Sequence, residues 1–229
     1  MNQDNTAILT IPSGKTNVYL LIRDGSAILI DTGVKGKQNG IWLGLEKYGL
    51  KPENLSLIIL THTHYDHCGN VKLLKESTRA PLLVHQKEAE NLRSGFASLP
   101  DGTFFLSKCL VELGRRLETK IGKYEPAEPD ITVEDHYDLS NYGIPGYIMS
   151  TPGHTAGSVS VILEQGDAFI GDTAFHLPFV GIYPPFANDQ ETLIRSWEKL
   201  LDTDCRNFYP GHGSAISRKQ LTASYRKRT

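Results

Sequence analysis

Residues 61–70 read "THTHYDHCGN". Three of the chain's eight histidines fall in this stretch, two of them a single residue apart and the third directly after an aspartate. Histidine and carboxylate are the ligands that zinc takes when cysteine is not used, and imidazole binds through one ring nitrogen while a neighbour holds the other. In an extended segment, side chains two apart point to the same side. His62 and His64 can therefore reach one ion, whereas Asp66 and His67, beyond the turn, can face a second.

The flanks place this cluster in a loop. "LSLIIL", ending at Leu60, reads as a buried strand, and Val71 to Glu76 as the body of a short helix. Upstream, Thr16 to Ile22 and Ala27 to Ile30 are β-rich runs around "RDGS", whose Asp-Gly pair favours a tight hairpin turn. Gln38 to Tyr48 has helical spacing and is stopped by Gly49 and Pro52. Downstream come a short strand, "PLLVH", and a mostly helical segment from Gln86 to Tyr124 with Leu106, Leu110, Leu113 and Leu117 in a stripe. The strands "GYIMS", "GSVSVIL" and "DAFIG" follow, then a helix over "NDQETLIRSWEKLL" for which Asn188 can serve as cap, a last strand in "CRNFYPGHG", and a basic terminal helix or tail.

The chain as a whole reads as one domain over residues 1–229, with a helical insert at about 88–124. Its 39% hydrophobic content is enough for a sizeable core. A formal charge of -2 offers no basic face for a phosphate backbone, so nucleic acid is not an expected partner. No apolar run approaches membrane-spanning length, and the first residues lack the basic start and apolar core of a secretory signal. The three cysteines, Cys68, Cys109 and Cys205, include no CxxC pair, which points to a reducing compartment; the expectation is a cytoplasmic protein. Cys68 reads as a buried structural thiol rather than a ligand.

Two ions need more than four ligands, and three further groups each follow a strand signal: His154 in "TPGHTAGS", Asp172 in "FIGDTAF" and His212 in "FYPGHGS". A carboxylate such as Asp172 can bridge two cations about 3.5–4 Å apart, and the neighbouring glycines permit close backbone approach. His176 and Tyr183, in the Pro-rich loop after Asp172, are candidates for substrate contact. Phe96, Phe104 and Phe105 of the insert could wall an apolar pocket if the insert is a lid, or could fasten it to the rest.

The ordered set "DTG", "THTHYDH", "TPGHTAGS", "GD" and "PGHG" resembles the metallo-β-lactamase superfamily from Asp31 to His212. The resemblance implies an α/β, four-layer αββα sandwich with two metals at one edge. It further implies that His62, His64 and His154 hold the first metal, that Asp66, His67 and His212 hold the second, that Asp172 bridges them, and that Asp31 is an orienting carboxylate rather than a ligand. The expected cofactors are two divalent ions, zinc before iron or manganese.

Two cations flanking one water lower its pKa from about 15.7 toward 7. The expected activity is therefore hydrolysis by a metal-bridging hydroxide, with Asp66 orienting the nucleophile and managing its proton. The ligand set is similar to that of glyoxalase II and of the lactonases, so the expected partner is a small-molecule ester, thioester or lactone. A phosphodiesterase acting on a nucleotide-type substrate, and an iron-dependent redox or binding role, are the alternatives. A homo-oligomer stays open.

Overall fold

The computed structural model describes residues 5–115, 122–178 and 180–229. Asp24 and Gly25 both take positive φ, +50° and +76°, and close the hairpin between β2 (Thr16–Arg23) and β3 (Ser26–Ile30) as the Asp-Gly pair predicts. Ahead of them β1 (Ala7–Ser13) pairs antiparallel with β2. From β3 the chain passes through α1 (Asn39–Lys47), β4 (Leu55–Ile59), α2 (Tyr65–Cys68), α3 (Val71–Thr78), β5 (Leu82–His85), α4 (Ala89–Ser94) and α5 (Phe105–Arg115) to β6 (Ile131–Val133). These strands form one sheet in the order β1-β2-β3-β4-β5-β6, parallel from β3 onward.

The second half builds another six-stranded sheet. It comprises β7 (His136–Asp138), β8 (Gly146–Ser150), β9 (Val159–Leu163), β10 (Asp167–Gly171), β11 (Asn207–Pro210) and β12 (Ile216–Ser217). The order is β12-β11-β10-β9-β8-β7, and only β10 and β11 run parallel, because α6 (Gln190–Asp202) crosses between them. The last element is α7 (Arg218–Tyr225).

Alternate residues of one strand serve different layers. Leu20, Leu29 and Ile58 point outward to Ile41, Leu45, Val71 and Leu74 of α1 and α3. Tyr19, Leu21, Ile28 and Ile59 point inward to Ile148, Val161 and Phe169 of the other sheet. Beyond it, Ile162, Ala168 and Phe208 meet Trp197 and Leu200 of α6 and Leu221 of α7. The layers are thus helix, sheet, sheet, helix. A sheet covered on both faces needs near-continuous apolar strands, which is why "LSLIIL" and "VSVIL" show little alternation.

One sequence expectation needs correction, and two need qualifying detail. Asp189, not Asn188, caps α6: its Oδ1 accepts the Thr192 N–H at 2.9 Å, while Asn188 Oδ1 accepts the N–H of Asp101. The segment from Gln86 to Tyr124 is mostly helical where described, but Gly95 at φ +68° ends α4 and an irregular stretch precedes α5. The leucine stripe, whose spacing reads as core or interface packing, does not join the core. Leu106, Leu110 and Leu113 are exposed, and Leu117 lies outside the described residues. No described helix is long and apolar enough to cross a membrane.

Candidate metal centre

Each residue singled out in the metal motifs stands just past the C-terminal end of a strand. Asp31 follows β3, the stretch from His62 to His67 follows β4, His154 follows β8, Asp172 follows β10 and His212 follows β11. His62 and His64 lie in extended loop as expected, but Asp66 and His67 occupy the single turn of α2, which swings them away from the first pair.

The seven groups converge. Three overlapping sets, His62–His64–His154, His62–His67–Asp172 and Asp66–His67–His212, each bring their ligand atoms within 4.8 Å of one another. His154 Nε2 lies 2.9 Å from His64 Nδ1 and 3.5 Å from Asp172 Oδ2. His212 Nε2 is 3.4 Å from both Asp66 Oδ2 and Asp172 Oδ2, and His67 Nε2 is 3.3 Å from Asp172 Oδ1. Asp172 therefore stands between the two histidine groups, its two oxygens turned to different neighbours.

The outward-facing ring nitrogens are held by neighbours. His67 Nδ1 bonds Asp31 Oδ2 at 2.8 Å, His154 Nδ1 bonds the Phe186 carbonyl at 2.9 Å and His212 Nδ1 bonds the Lys15 carbonyl at 2.8 Å. A carbonyl or carboxylate on Nδ1 makes that nitrogen the donor and leaves Nε2 facing the cluster. His64 is turned the other way, presenting Nδ1 and meeting the Ser98 backbone. Asp31 also accepts the Thr61 N–H at 2.8 Å, so one carboxylate ties the end of β3 to both ends of the histidine loop.

Charge divides the site. Burial pushes His64 and His154 down to about 4, and it lowers His62 as well, so these three are neutral with lone pairs available. Burial is the largest single influence on His212 and His67 and acts against charge, but the neighbouring carboxylates together outweigh it: Asp172 and Asp66 at His212, and Asp172, Asp31 and Asp66 at His67. His212 rises to about 10 and His67 well above its usual range. Asp66 and Asp172, despite burial, are held far below the usual carboxylate range by the surrounding histidines.

The donor set fits divalent cations. Among the described residues, His62 Nε2, His67 Nε2 and Asp172 Oδ1 are buried without a hydrogen-bond partner. Leaving such atoms unpaired costs about 1–3 kcal/mol each, and all three point into the cluster, where an ion would satisfy them together. Thr16 Oγ1 donates to Asp66 Oδ2 at 2.9 Å. Gly211 is obligatory, because a Cβ there would lie 2.4 Å from Asp172 Oδ1.

The cluster opens into a cavity of about 680 Å³. Its walls include Tyr65, Leu99, Pro100, Phe175, Leu177 and Phe186. His176 and Tyr183 are not among them. Phe175 and Leu177 face the cavity, so His176 between them turns to Ser214 and Ala215; Tyr183 donates to Gln190 on α6. Nor do Phe96, Phe104 and Phe105 wall it; Phe105 is 83% exposed, and the insert contributes Leu99 and Pro100 instead. Cys68 is a buried thiol whose Sγ donates to the Thr63 and His64 carbonyls. Reasoning from sequence missed the carbonyls of Lys15 and Phe186, since a backbone oxygen leaves no mark in residue type, and the hydroxyl of Thr16, which stands in a strand signal far from the ligand motifs.

Known proteins resemble this chain over most of its length. A "Probable metallo-hydrolase" of Methanocaldococcus jannaschii is 32% identical over 216 residues, covering 93% of both chains. The "Atrochrysone carboxyl ACP thioesterase" of Aspergillus fumigatus is 26% identical over 90% of this chain and 53% of its own length. The crystal structure of an archaeal metallo-beta-lactamase superfamily protein from Sulfolobus tokodaii superposes with a TM-score of 0.70 at 22% identity, over 97% of this chain and 86% of that one. The family model described as "Metallo-beta-lactamase superfamily" matches residues 11–212, a span that holds Asp31 and every clustered ligand group, and the chain belongs to that family.

Proposed function

We propose that this protein is a binuclear metal-dependent hydrolase of a small ester, thioester or lactone. One observation carries the reading: two histidine groups share a buried aspartate, with unpaired atoms aimed between them, at the floor of a largely apolar cavity. His62, His64 and His154 would hold one cation and Asp66, His67 and His212 the other, with Asp172 touching both. Two divalent ions there, zinc before iron or manganese, would lower the pKa of a shared water toward 7 and polarise the scissile carbonyl.

The chain's own groups do the rest. Asp66 is ionised, fixed by Thr16, and borders the cavity, so it accepts a hydrogen bond from the attacking water and orients it. Tyr65 also borders the cavity. Burial raises its phenol above the usual range, so it stays protonated and can donate to oxygen charge that develops during attack. Leu99, Pro100, Phe175 and Phe186 exclude water and receive an acyl portion of the substrate. The thioesterase of Aspergillus fumigatus supports acyl chemistry as the class to examine first.

The test is a substrate panel on protein whose metal content has been quantified, comparing thioesters, lactones and bis(p-nitrophenyl) phosphate. Turnover of the acyl substrates with two bound ions per chain supports the proposal. Turnover of the phosphodiester alone, or of none of them by fully loaded protein, overturns it.

A further inference from the structure

Glu88 has no part in the scheme above, yet it is a carboxylate only 2% exposed, seated behind the ligand loop. Its Oε2 accepts the Thr63 N–H at 3.2 Å and a second, short hydrogen bond from Thr63 Oγ1. Thr63 is the residue between His62 and His64. Both of its polar donors are thus committed to one carboxylate, and this sets the peptide planes from which the two imidazoles project. Asn91 of α4 adds a 3.3 Å bond from Nδ2 to Thr63 Oγ1, and the Tyr124 hydroxyl holds the Asn91 carbonyl at 2.8 Å.

The other side of Glu88 meets the loop that carries His154. A Cβ at Gly157 would lie 2.6 Å from Glu88 Cγ and 2.9 Å from its Oε1, so the glycine of "TPGHTAGS" leaves the room that Glu88 fills. One buried side chain is therefore wedged between the loop segment that supplies His62 and His64 and the loop that supplies His154. Burying a carboxylate is costly unless its hydrogen bonds are needed where they stand, and a packing role alone would be met by an apolar residue of the same size.

We infer that Glu88 is a positioning residue: through Thr63 and against Gly157 it fixes the relative placement of His62, His64 and His154 and so sets the affinity of the cation they share. The inference rests on the reading of these histidines as ligands. It concerns one of the two cation sets and leaves the other alone.

The experiment is titration of ion-free protein with Zn²⁺ and with Co²⁺ against a chromophoric competitor, following the visible Co²⁺ bands. Glu88→Ala and the isosteric Thr63→Val should weaken one of the two binding steps about 10- to 100-fold while the other stays within about threefold. Thr63→Ser, which keeps the hydroxyl, and Glu88→Gln, which keeps an acceptor oxygen, should restore wild-type binding. If Glu88→Ala does not fold, Thr63→Val alone decides. A thermal stability loss in these variants with both binding steps unchanged makes Glu88 a packing residue and overturns the inference, as does equal weakening of both steps. A wild-type chain that binds neither ion sinks the metal reading itself, which separates the two failures.

Discussion

His67 Nδ1 stands 2.8 Å from Oδ2 of Asp31, a residue held in left-handed backbone at φ +61°. That conformation is uncommon for any residue but glycine, asparagine and aspartate. It turns the carboxylate back across the start of the histidine loop, where it also holds the Thr61 N–H.

Asp31→Asn isolates the charge, because asparagine tolerates the same backbone. Cation affinity of the set containing His67 should fall about 10- to 100-fold with little change in thermal stability. Competition with a chromophoric chelator measures it. Unchanged affinity would show that the carboxylate only anchors the loop.

Loading the ion-free site should release protons in a pH-dependent way. His212, raised to about 10, and His67, raised well above its usual range, are both protonated at neutral pH, whereas His64 and His154, lowered to about 4, are not. A cation must displace the first two protons and none from the second pair. Apparent affinity should therefore climb as pH rises from neutrality toward 10. Calorimetry in buffers of different ionisation enthalpy counts the protons; release of none at pH 7 would contradict the charge assignment.

Gly211→Ala places a methyl group 2.4 Å from Asp172 Oδ1 and 2.6 Å from His67 Cε1. Because the strand before Gly211 is held in the sheet, Asp172 and His67 must give way. Metal content should drop below one ion per chain and turnover by at least about 100-fold, while the far-ultraviolet circular dichroism stays native. Elemental analysis of the purified variant is the check.

Leu99→Ala removes part of the cavity wall that the insert supplies, without touching a ligand. KM for a long acyl chain should rise about 5- to 50-fold, that for an acetyl ester should hardly move, and metal content should be unchanged. A KM series against chain length would reveal an insert that has no contact with substrate, since all chain lengths would then respond alike.

The insert shows where sequence was hard to read. Glycine and the irregular stretch after it divide a segment read as mostly helical, and the stripe of Leu106, Leu110 and Leu113 has the spacing of a packed face but lies exposed. Spacing reports which residues share a side, not what lies opposite. The short strands β6, β7 and β12 carry too few residues for periodicity to register, and they form because a neighbouring strand offers them partners.

The histidine cluster was legible for the opposite reason. Ligand chemistry demands particular side chains, so residue type and spacing alone mark His62, His64, Asp66, His67, His154, Asp172 and His212 as candidate metal ligands that follow strand signals, while the layered fold was implied by the resemblance of the ordered motifs. Tertiary structure decided what holds them. The carbonyls of Lys15 and Phe186, the hydroxyl of Thr16 and the buried carboxylate of Glu88 reach the site from other elements of the chain, and only the folded sandwich, its two sheets packed face to face, brings them within hydrogen-bond range. It also turned His176 and Tyr183 aside, because alternation along the loop after Asp172 gives the cavity to Phe175 and Leu177.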